Sequence, residues 1–129
     1  MSTPTALRNR YARESVTTAS PARLVTMLYD RLLRDLMFAD AALERADLPG
    51  AHRELIHAQE IVQELRAGLD TSSTWEGVDG LVALYDYLLE ELLAANVHKD
   101  RSRVANCHQV VEPLADAWHE AANAQPQVR

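Results

Sequence analysis

The pair Ser20-Pro21 fixes where the first long helix of this chain begins. Proline fits an α-helix only in its first turn, and a serine just before it can cap the free N–H groups there. From that start Val25, Leu28, Leu32, Leu36, Ala39 and Leu43 recur at steps of three and four, along one side of a helix reaching about Ala46. Such a stripe demands a partner surface. Tyr29, Leu33 and Met37 form a second line at steps of four, rotated roughly 100° from the first. A helix apolar over so much of its circumference is either packed among several neighbours or offers a second face to something outside the chain.

Three further helices follow. Asp47-Leu48-Pro49-Gly50 interrupts the first and supplies Asp47 as a cap for the second, expected over about 49–69. Its seam, Ala51, Leu55, Ala58, Val62, Leu65 and Leu69, is the cleanest in the chain, with Ile56 and Ile61 flanking it on opposite sides. Gly68 and the run Asp70-Thr71-Ser72-Ser73-Thr74 end that helix and offer caps for a third over about 75–96, which buries Val78, Leu81, Val82, Tyr85, Leu88, Leu89 and Leu92. The link Val97-His98-Lys99-Asp100 is short, so the fourth helix, about 101–123, returns antiparallel with Val104, Cys107, Val111, Leu114 and Trp118 inward and Pro113 bending it. Residues 1–17, with Arg8, Arg10, Arg13 and the lone aromatic Tyr11, read as a mobile or loosely docked segment, and 125–129 as a frayed tail. The expected fold is all-α: an antiparallel up-down four-helix bundle over 18–124 with a mobile N-terminal segment.

Composition narrows the partners. A formal charge of −6 over 129 residues argues against a nucleic-acid or anionic-membrane surface, since both need a basic patch. No apolar run reaches the length of a membrane span and the first sixteen residues lack the apolar stretch of a signal peptide, so neither membrane insertion nor secretion is expected and the cytoplasm is the expected compartment. The one cysteine, Cys107, lies on the apolar face of its helix, as an inert core thiol would.

A four-helix bundle invites a search for the di-iron carboxylate set. Glu54-Leu55-Ile56-His57 matches its Glu-x-x-His element and Asp116-Ala117-Trp118-His119 nearly does. His57, however, points roughly 120° from the centre of its helix's seam, toward water, and His119 is off its seam as well. No metal and no cofactor are expected. His108 and Glu112, four apart, form a weak surface pair. With neither a glycine-rich phosphate loop nor a nucleophile elbow, the sequence reads as a binding protein rather than a catalyst. A ferritin-like metal-binding oxidoreductase and a self-associating structural bundle are the alternatives.

Thr18-Ala19-Ser20-Pro21, then Leu24 and Met27-Leu28-Tyr29-Asp30, with Tyr11 upstream, resembles the opening of the FliS family of flagellin export chaperones. The likeness continues through Ala58-Gln59-Glu60-Ile61-Val62-Gln63-Glu64-Leu65, Leu69-Asp70, Leu84-Tyr85-Asp86-Tyr87-Leu88, Ala95-Asn96 and Trp118. It departs at Arg31, where the family usually has a small residue, at Asp35, where it commonly has an apolar or aromatic one, and at Pro113. The resemblance implies a cytoplasmic chaperone, monomer or weak homodimer, that binds the disordered C-terminal region of flagellin. The client folds into helices around the bundle, so it stays exportable and cannot polymerise early; an export-gate component is a further implied partner. Recognition of this kind is helix-in-groove binding coupled to folding. It assigns the apolar excess a use: Tyr29, Leu33 and Met37, with Ile56 or Ile61, are the expected groove, and Tyr11 the anchor of a segment that covers part of it.

Overall fold

The computed structural model of the chain describes residues 21–69 and 77–124. They form four helices: α1 Pro21–Glu44, α2 Leu48–Ala67, α3 Gly77–His98 and α4 Arg101–Ala124. Tyr11, the segment 1–17, the Ser20 cap, the caps between Asp70 and Thr74, and the tail lie outside the described residues.

Cross-helix contacts define the direction of each element. Asp30, near the start of α1, meets His119 near the end of α4 at 2.7 Å, whereas Asp40 near the end of α1 meets Arg101 at the start of α4 at 2.9 Å. Arg66 at the end of α2 meets Asp86 in α3 at 2.7 Å, and His52 at the start of α2 meets Asn96 near the end of α3 at 2.9 Å. Each helix therefore runs opposite to its two neighbours, in an antiparallel up-down four-helix bundle, with α1 and α3 parallel across the diagonal.

The expected seams close the core. Leu28, Leu32, Leu36 and Ala39 of α1, Leu55, Ala58, Val62 and Leu65 of α2, Tyr85, Leu88 and Leu92 of α3, and Val104, Cys107 and Val111 of α4 are all buried in one cluster. Val25, Leu43, Leu69, Leu114 and Trp118 are half-buried at its edges. Each fully buried leucine contributes about 1.5–3 kcal/mol of transfer free energy.

The two hairpin turns are alike. α1 ends at Glu44 and α3 runs on to His98. In each turn a residue in the left-handed region precedes an aspartate: Ala46 at φ 59° before Asp47, after Arg45, and Lys99 at φ 51° before Asp100. The aspartate N–H bonds back five residues, Asp47 to Ala42 O at 2.8 Å and Asp100 to Ala95 O at 3.1 Å, which closes the helix end. The same aspartates cap the next helix, Asp47 accepting from Gly50 N at 3.0 Å and Asp100 from Ser102 N at 2.9 Å. A Cβ on Gly50 would come within 2.2 Å of the Asp47 carboxylate, so any larger residue there would make the capping side chain shift. Asp47→Ala should lower the stability measured by urea unfolding by about 1 kcal/mol; an unchanged midpoint would mean that Asp47 is not the cap.

Candidate docking surface

The two lines of apolar residues on α1 have different fates. Tyr29 is 0% exposed, its hydroxyl 2.6 Å from that of Tyr85 and its ring 6.3 Å from Trp118. It is a core residue rather than a groove residue. Burial pushes its hydroxyl pKa up against the opposing effect of hydrogen bonds with Tyr85 and Trp118, and burial raises that of Tyr85 further. Ile61 is likewise core, at 0% exposure. Leu33 is half-buried against the core, and only Met37 stands clear, at 61% exposure. Ile56 is exposed, on the outer side of α2 that turns toward α3.

The expected groove thus does not assemble as one surface. Met37 faces α4, overhanging a hollow of about 480 Å³ between α1 and α4 that Leu33 does not line. Leu36 and Val104 form its floor, and Ala105, His108 and Gln109 form its far wall. Polar cross-helix contacts flank it, the ion pair of Asp40 with Arg101 toward one end and the hydrogen bond of Asp30 with His119 toward the other. The Arg101 guanidinium holds the Asp40 carboxyl below the usual carboxylate range. A second hollow of about 400 Å³, at the end of the bundle, is lined by Leu24, Val25, Leu28, Leu65, Tyr85 and Trp118. Pro21 and Leu69, where the chain leaves the described residues, border it.

His57 does not face water. Its Nδ1 lies 2.5 Å from Asp35, which is fully buried and also accepts from Arg31 Nε at 3.1 Å. The seam of α2 is only part of that helix's buried side; the flank toward α1 is covered too, and His57 sits there. Arg31 and Asp35 thus act together: Arg31 holds the Asp35 carboxylate within α1, and Asp35 hydrogen-bonds His57 across to α2. His119 is taken up by Asp30, and His108 lies 3.8 Å from Glu112 in an exposed pair. Among the described residues no three His, Cys, Asp or Glu side chains are grouped so as to hold a metal ion. Cys107 is enclosed in the core, where burial first and the Glu91 carboxylate second push its thiol up to about 12. Among the described residues no helix is long and apolar enough to cross a membrane.

These features define a closed helical bundle with a hollow between α1 and α4 on its outside. The chain belongs to the FliS family: residues 4–125 match the family model described as flagellar protein FliS. It is 34% identical over 115 residues to the flagellar secretion chaperone FliS of Bacillus subtilis, covering 89% of this chain and 85% of that one. It is 36% identical over 108 residues to the Escherichia coli protein of the same name, covering 83% and 79% of the two chains. A crystal structure described as a flagellar chaperone from bacteria superposes with a TM-score of 0.75 at 21% identity, over 94% of this chain and 98% of the other, a likeness of fold.

Proposed function

We propose that this chain is a cytoplasmic export chaperone that binds the disordered C-terminal region of flagellin as an amphipathic helix in the groove between α1 and α4. The observation that carries the reading is Met37, exposed at 61% above a groove whose floor belongs to an already closed core. A flexible thioether over an aliphatic floor suits a helix that docks and leaves. Names of the relatives supply the flagellar client class. Sequestering the client's C-terminal region keeps it from joining a filament and keeps it exportable, and the loaded bundle is then the form an export-gate component meets. The role is binding, without catalysis, by a monomer or weak homodimer.

A seeded polymerisation assay tests the function. Equimolar chain should suppress elongation of flagellin filaments from the same organism, and Met37→Asp should restore most of it while keeping the wild-type circular dichroism spectrum. Unhindered elongation with folded wild-type chain would refute the reading.

A further inference from the structure

Sulfur occurs at three positions among the described residues: Met27 and Met37 on α1 and Cys107 on α4. Their surroundings differ. Cys107 is enclosed in the core, where burial raises its thiol and keeps it protonated, and a buried protonated thiol is a poor nucleophile. Met27 is half-buried. Met37 is the exposed one of the three, at 61%. A thioether needs no deprotonation to react with a peroxide, so access decides which of these sulfurs is oxidised first.

The same side chain stands where a change of polarity matters. It overhangs the hollow between α1 and α4, whose floor is the aliphatic pair Leu36 and Val104. Oxidation turns a flexible apolar thioether into a sulfoxide with a strong acceptor oxygen. In the free chain that oxygen is hydrated, and because Met37 lies outside the buried cluster the fold is left intact. Beneath a docked apolar helix the oxygen would lose its water, and the aliphatic floor offers no donor in exchange.

We propose that Met37 is a redox modification site, whose conversion to methionine sulfoxide by hydrogen peroxide switches off client docking in the α1–α4 groove. The proposal rests on that groove being the client's site. In the forward step the sulfur lone pair attacks one peroxide oxygen, the O–O bond breaks, and the departing hydroxide takes a proton and leaves as water. Sulfur gives up an electron pair and peroxide accepts it. Methionine sulfoxide reductases reverse the change: a pair of thiols becomes a disulfide and the sulfoxide oxygen leaves as water. Docking is thereby tied to the peroxide level through one reversible oxygen transfer, with no change in the bundle itself.

The test treats the full chain with hydrogen peroxide, removes the excess with catalase, maps the oxygen by peptide mass spectrometry and titrates the product calorimetrically with a peptide spanning the C-terminal region of flagellin from the same organism. Met37 should gain oxygen ahead of Met27. The oxidised chain should bind about tenfold or more weakly than the untreated one, with the thermal melting of the untreated chain. Incubation with the reductases for both sulfoxide epimers should restore the affinity. Met37→Leu keeps an aliphatic side chain of similar volume and removes the sulfur; whatever affinity it starts from, peroxide should leave that affinity unchanged. Met27→Leu should lose as much on peroxide treatment as wild type. Undiminished affinity in wild type carrying the Met37 sulfoxide overturns the switch, and so does an equal loss in Met37→Leu. Oxidation of Met27 ahead of Met37 overturns the assignment of the site. Untreated, folded wild type that binds no peptide overturns the groove as the client's site, and the switch with it.

Discussion

Tyr29→Asp should abolish the cooperative thermal transition of the bundle. The side chain is 0% exposed and touches the opposite helix through the hydroxyl of Tyr85. Aspartate there removes most of an aromatic ring's packing, worth about 3–5 kcal/mol, and adds the cost of a buried charge that lacks a partner. Together these consume the 5–15 kcal/mol that holds a domain of ordinary stability. Tyr29→Phe isolates the polar part: it leaves one hydroxyl without its partner and should cost about 1–3 kcal/mol in urea unfolding. A Tyr29→Asp chain that melts like wild type but no longer binds flagellin would return Tyr29 to the docking surface.

Alkaline pH should destabilise the bundle before any lysine titrates, and Cys107 should account for the first part of the loss. Its thiol rises from 9.0 to about 12 in the fold, through burial first and the Glu91 carboxylate second. Between those values the folded chain holds a proton that the unfolded chain has released. Stability from this group is therefore fully present below pH 9 and is lost as pH rises toward 12, by about 1.4 kcal/mol per pH unit and about 4 kcal/mol in all. Tyr29 and Tyr85, also raised, add the same sign of dependence above pH 10. Urea unfolding at pH 8, 9 and 10 reads the slope directly. In Cys107→Ala it should be nearly flat over this range, although the variant starts less stable. Equal slopes in the two proteins would contradict the burial of the thiol.

The bundle was legible because its signal is periodic: every seam residue of α2 from Ala51 to Leu65 is buried, and the turns carry aspartate caps that sequence chemistry identifies. The docking surface was harder to read for a geometric reason. Residues four apart on a helix turn by about 400°, so a line at steps of four drifts about 40° each time. Tyr29, Leu33 and Met37 are accordingly buried, half-buried and exposed in that order, one line leaving the core rather than a second face. Ile56 and Ile61, five apart, fall on opposite sides, and only Ile56 reaches solvent. The Asp35 and His57 contact could not be read from either helix alone, because it depends on the rotation of α1 against α2.

The central claim, that the α1–α4 groove binds flagellin's C-terminal region as it folds, is tested most directly by the heat capacity of that binding. Titration of the folded chain with the C-terminal flagellin peptide at several temperatures should give one-to-one binding and a large negative heat-capacity change, as apolar surface is buried and the peptide becomes helical. Absence of binding heat at every temperature, with the bundle shown to be folded, would contradict it.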